Sequence, residues 1–110
     1  MILNSLIIKT LSPLGYPVRF HQLLEEDGEP ETYITFFEFN QNGALYGDDK
    51  ELKSRHSIQV DIWSRGNYGN LVNQVKERMI EIGFTRSMET EIIEKETGTY
   101  QKVIRFNYVN

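Results

Sequence analysis

The chain has 110 residues, 39% of them hydrophobic and 25% charged, which suits one domain with enough apolar material for a single core. Twelve basic residues stand against 16 acidic ones, and a net charge of -4 at pH 7 argues against tight non-specific nucleic-acid binding and against a polybasic membrane anchor. No cysteine is present, which removes disulfides, thiolate metal sites, iron–sulfur clusters and cysteine nucleophiles from consideration.

The first residues, MILNSLIIKTLSPLGY, are apolar enough to raise the question of a signal peptide. They lack a basic leading region, and Asn4, Ser5, Lys9 and Thr10 interrupt the apolar run. No run approaches the roughly 20 apolar residues of a membrane span. The expectation is a soluble protein kept inside a cell. Ile2, Leu3, Leu6, Ile7 and Leu11 recur at helical spacing, giving a short first helix that Pro13 and Gly15 end.

Residues 17–24 read as a strand, with Val18, Phe20 and Leu24 on one side and Arg19 and His21 on the other. The polar run EEDGEPE at 25–31 is a charged turn, since Gly28 and Pro30 forbid regular structure. A second strand spans 32–39, where Tyr33, Phe37 and Phe39 share one face and Ile34 and Phe36 the other. Both faces are apolar, which places the strand in a sheet interior or under a neighbouring subunit. Residues 40–54 form the longest irregular stretch, a length associated with function or mobility.

The clearest strand is 55–63, alternating Ile58, Val60 and Ile62 with Gln59, Asp61 and Trp63. Gly66 and Asn67 make a turn, and a helix over about 68–82 follows. Its apolar stripe is Tyr68, Leu71, Val72, Val75, Met79 and Ile82, and Gly83 supplies a left-handed cap. Two closing strands, 84–94 and 100–109, turn at Gly98. The order α-β-β-β-α-β-β predicts a single α+β domain over 1–110. Its sheet is twisted, mainly antiparallel and of four to five strands, with two helices on one face.

Candidate chemistry is thin. Asp48 and Asp49 with Asp61 supply at most part of a magnesium site, where several converging carboxylates are needed, and a solvated loop is the simpler reading. His21 and His56 have no serine or carboxylate at triad spacing. SRGNYGN lacks the glycine and lysine pattern of a phosphate loop. Lys50, Lys53, Arg55 and His56 with nearby Tyr46 form a small basic run in an acidic protein, better read as a solvated face than as a nucleic-acid site. No catalytic, cofactor-binding or metal-ligating set is assigned. Trp63 is different: on the face opposite Ile58, Val60 and Ile62, it is either an interface anchor or packed beneath a neighbouring element. The surplus of aromatic residues on 32–39 points towards copies of the sheet covering one another, because two helices are too few for both faces.

YITFFEF, IQVDIWSRGNY, a helix closing in EIGF, and TGTYQKVIRFNY together resemble the tail-completion proteins of phages and prophages of Gram-positive bacteria, a group including tail terminators and head–tail joining proteins. The likeness runs from Tyr16 to Tyr108, and its most diagnostic pieces are QVDIWS and the closing 97–108. Where the family usually has tyrosine-histidine-lysine, this chain has Tyr100-Gln101-Lys102. The resemblance implies a non-enzymatic virion protein without cofactors, made in the bacterial host cytoplasm and ending in the virion tail or neck. It further implies a homo-oligomeric ring, typically a hexamer, that caps the tail tube and meets the head connector, with no membrane and no specific nucleic acid as partner. On that reading Tyr33, Phe36, Phe37, Phe39 and Trp63 are the candidate subunit interface. Tyr46, Asp48, Asp49, Lys50 and Lys53 are the candidate contact with tube or connector. The competing classes are a small regulatory protein-binding module and a metal-dependent nucleic-acid-processing enzyme.

Overall fold

A computed structural model describes residues 3–39 and 55–109. Helix α1 (Leu3–Leu11) puts Leu3, Ile7 and Leu11 on one stripe, four residues apart, and all three are buried. Pro13 falls inside a 3-10 turn, Ser12–Leu14, which Gly15 closes in the left-handed conformation. Strand β1 (Val18–Phe20) follows, then a second 3-10 turn, Glu25–Asp27, and strands β2 (Thr32–Phe39) and β3 (Arg55–Ser64). Helix α2 (Gly69–Glu81) begins where the Asn67 side chain accepts the backbone N–H of Gly69, 3.1 Å away. Strands β4 (Thr85–Glu94) and β5 (Thr99–Val109) form the closing hairpin.

The five strands lie in the order β1-β2-β3-β5-β4, antiparallel at every junction except β1 with β2. This is the α+β architecture expected from the element order. The first strand is shorter than the predicted 17–24. After Phe20 the backbone turns sharply at His21, which takes a left-handed φ of 72°, and Gln22–Asp27 leave the sheet. The reason is electrostatic as well as steric. Asp27 receives the Arg19 guanidinium in a two-pronged contact at 2.7 and 2.9 Å and also accepts the Leu24 backbone N–H at 2.8 Å. The charged turn is therefore a clasp that folds the chain back beside β1. Arg19 holds the Asp27 carboxyl below the usual carboxylate range.

One face of the sheet carries the core. Ile34 and Phe36 of β2, Ile58, Val60 and Ile62 of β3, and Ile104 and Phe106 of β5 point the same way. Against them pack Leu3, Ile7 and Leu11 of α1 and Leu71, Val72, Val75 and Met79 of α2, all buried. Each fully buried aliphatic side chain of this kind contributes about 1.5–3 kcal/mol. Gly83 ends α2 with a positive φ of 107°, which drops Phe84 into the same core beside Phe106. Both described α-helices are spent on this face.

Candidate subunit interface on the uncovered sheet face

Because successive strand residues alternate between faces, the residues interleaved with the core set must lie on the opposite surface. Tyr33, Thr35, Phe37 and Phe39 of β2 lie there. Beside them are Ser57, Gln59, Asp61 and Trp63 of β3, and Gln101, Val103 and Arg105 of β5. Met88, Thr90 and Ile92 of β4 complete the row.

Its β2–β3 side is an aromatic band. Tyr33 and Trp63 are directly opposed in the ladder and their rings lie almost parallel, 5.8 Å apart with 12° between planes. The indole N–H of Trp63 donates to the Thr35 hydroxyl at 2.9 Å. Further along β2, the imidazole of His21 lies parallel to the Phe37 ring at 6.0 Å, and Phe37 meets Phe39 edge to face. The Arg105 guanidinium carbon sits 4.7 Å above the Phe39 ring, a cation–π contact. Tyr33, Phe37, Phe39 and Trp63 are half-buried, and among the described residues no helix lies above them.

Next to this band runs a polar seam. Arg105 Nε donates to Gln59 Oε1 at 3.0 Å, and Gln59 Nε2 donates to the Asp61 carboxylate at 3.0 and 3.3 Å. Gln101 Nε2 donates to Asp61 Oδ1 at 3.2 Å. Both ends of the Gln59 amide are thus used, and Asp61 is held by two neutral donors. Asp61 is only 4% exposed, and its removal from water pushes its carboxyl above the usual range, more than its amide partners and nearby Arg105 pull it down. The seam rigidifies the centre of a sheet face over which no described element packs as a layer.

A cavity of about 150 Å³ opens on the same face, lined by His21, Gln22, Leu23, Tyr33, Thr35 and Trp63. Its far wall exists only because the chain leaves the sheet after Phe20. Extended strand geometry through residue 24 would have removed it.

The structure sorts the five candidate interface residues. Tyr33, Phe37, Phe39 and Trp63 lie on one continuous surface. Phe36 does not belong with them: it is 0% exposed, on the helix side of β2 in the core, and has no surface to offer a second subunit. Trp63 is neither solvent-projecting nor beneath a helix, being laid flat on Tyr33. His21 is in the bend after β1 rather than on a strand, while His56 lies on β3 with Nδ1 2.7 Å from a Glu38 oxygen across the ladder. Tyr46, Asp48, Asp49, Lys50 and Lys53 lie outside the described residues. Among the described residues no three histidine or carboxylate side chains are grouped as a metal ion would need. No described helix is long and apolar enough to cross a membrane.

Gln101, Arg105 and the β4 pair Met88 and Ile92 were not anticipated. Their part in the face depends on β5 lying between β3 and β4, and no local pattern encodes that order. Gln101 is a hydrogen-bond donor to the buried Asp61. A scan against protein-family models finds no match for this chain, and a search of curated proteins finds none either.

Proposed function

We propose that this protein is a non-enzymatic structural component of a phage particle, whose subunits close into a ring at the head-proximal end of the tail. The observation that supports this reading most is the sheet face that neither described helix covers. A band of four aromatic side chains, stiffened by a hydrogen-bonded seam, is what a protein built to be covered by another protein presents. The sequence resemblance to phage tail-completion proteins supplies the biological setting, including the ring of six. A ring needs a heterologous contact in which one patch meets a different patch on the next subunit. In this proposal the band of Tyr33, Phe37, Phe39 and Trp63 is one of the two patches.

The test is electron microscopy of particles from a prophage whose gene for this chain is interrupted after Gly15. Full heads beside unjoined or overlong tails are the expected result, and tail length separates terminator from joiner. Complementation by Phe37→Glu, a folded chain with a charged band, should fail where the unaltered gene succeeds. Normal infectious virions from the interrupted gene would overturn the reading. The cavity between His21 and Trp63, sized for one side chain of a partner, would then favour a regulatory binding module.

A further inference from the structure

The cavity beside Trp63 is lined by a buried polar group whose hydrogen bonding is incomplete. Thr35 forms part of its wall and is only 4% exposed. The Thr35 oxygen accepts the indole N–H of Trp63 at 2.9 Å, and among the described residues nothing accepts the proton of its own hydroxyl. A hydroxyl has one donor as well as two acceptor positions, so a donor is left over in a buried wall. The other lining residues define what can meet it. Trp63 and Tyr33, their rings almost parallel, form the sheet side, and the bend from His21 to Leu23 forms the far side. The His21 imidazole is fixed by ring contacts with Phe20 at 4.1 Å and Phe37 at 6.0 Å. None of the six lining residues is Asp, Glu, Lys or Arg, so the site offers no counter-ion to a charged group. At about 150 Å³ it has room for a ring of roughly benzene's size.

We infer that this cavity binds a proline of an extended partner polypeptide, with the Thr35 hydroxyl donating to the backbone carbonyl beside the proline ring. The occupant has to be compact, uncharged and mostly apolar. It also has to bring an acceptor without burying a donor of its own. Phenylalanine or isoleucine fills the space and leaves the Thr35 proton unpaired. Asparagine or glutamine supplies an acceptor but adds an NH₂ group that the walls must then satisfy. In proline the apolar ring is closed onto the backbone nitrogen, so there is no N–H, and ring and neighbouring carbonyl arrive together. Proline-bearing extended segments are already ordered before they dock, and aromatic-lined grooves are their usual receptors.

The proposal rests on the reading of this sheet face as one that another protein covers, and it does not require a ring. Trp63 is the only tryptophan of the chain and part of the cavity wall, so its fluorescence reports occupancy. Titration of the purified chain with a blocked hexaproline peptide is expected to give a saturating change with Kd below about 1 mM. A blocked peptide of alternating alanine and glycine, equally long, should bind at least about tenfold more weakly. Thr35→Val should weaken hexaproline binding about tenfold, while Thr35→Ser, which keeps the donor, should stay within about twofold. His21→Gly suits the φ of 72° and removes part of the wall, and should weaken binding about fivefold. Circular dichroism checks that each variant is folded.

No saturating change, an equal response to the alanine–glycine peptide, or full-strength binding by Thr35→Val would overturn the assignment. A Trp63 signal that follows protein concentration alone and ignores the peptide would overturn it too, giving the cavity to a second copy. Unjoined or overlong tails from the interrupted gene, together with any of these results, would keep the ring and remove the proline site. Peptide binding with normal virions would do the reverse.

Discussion

The indole N–H of Trp63 reaches diagonally across the β2–β3 ladder to the hydroxyl of Thr35, 2.9 Å away, while its ring lies flat on Tyr33. Thr35 is only 4% exposed, so this donor matters to it. Trp63→Phe keeps the stacked ring and removes the donor. Thr35→Val removes the acceptor at nearly constant shape. Each is expected to cost about 1 kcal/mol, and the double variant clearly less than the sum of the two. Urea unfolding followed by circular dichroism measures this; strict additivity would mean the bond contributes nothing.

Phe36 and Phe37 are neighbours in sequence with opposite fates. Phe36→Ala opens a hole under two helices and should cost about 3–5 kcal/mol, a large share of the roughly 5–15 kcal/mol by which a domain is stable. Phe37→Ala should cost less than about 2 kcal/mol, because that ring is half-buried on an uncovered face. Parallel thermal melts of the two variants decide the matter. Equal losses would mean that the face assignment is wrong.

Two carboxylates give the fold opposite pH dependences. Burial raises the folded-state pKa of Asp61, so the folded chain holds that proton more tightly than the unfolded chain. Its contribution is therefore greatest at low pH and declines as pH rises through the raised value, above the ordinary carboxylate range near 4. Glu89, held below its usual range by Lys102 and Lys76, contributes above the unfolded pKa and loses that contribution as pH falls. Asp61→Asn should therefore flatten the decline in stability as pH rises above the ordinary carboxylate range, and Glu89→Gln should flatten the loss on the acid side. Urea midpoints at a series of pH values, compared with the unaltered chain, provide the check.

At Gly83 a φ of 107° permits the reversal into Phe84, and a Cβ added there would stand 3.1 Å from Cε1 of Tyr108. Gly83→Ala combines backbone strain with this contact and should cost about 1–3 kcal/mol. Gly98→Ala should cost only the strain, since no atom lies within 4 Å of a Cβ there. Differential scanning calorimetry of both should rank Gly83 as the more sensitive.

The features legible in the sequence are those written over short distances. The stripe from Tyr68 to Ile82, the cap at Gly83, the turn at Gly98 and the alternation of 55–63 all appear in the structure within a residue or two. The length of β1 was not legible, because it is set by Asp27 returning to clasp Arg19 and by the left-handed His21. The parallel pairing of β1 with β2 was hidden for the same reason. Period-two alternation put Phe36 and Phe37 on different faces, but only the position of the helices tells which face is the core. Asp61 read as a strand-face acid. Its burial comes from Gln59 and Gln101, the latter 40 residues away in sequence. The aromatic band was half legible: its residues were visible, and its stiffening through Arg105 was not.

Strand β5 lies between β3 and β4, although the chain makes it after both. Gln101 reaches Asp61 across 40 residues of sequence, and Arg105 reaches Gln59 across 46. At translation rates of about 5–20 residues per second, a nascent chain carries β2 and β3 for roughly two to nine seconds before those partners emerge from the ribosome. Throughout that interval the hydrophobic strands have neither the central ladder nor the seam that orders the finished surface. Neighbouring ribosomes on one message hold several such incomplete sheets close together. Any aggregation of this protein during overproduction is therefore expected to follow the speed of its synthesis more closely than the stability of the completed fold.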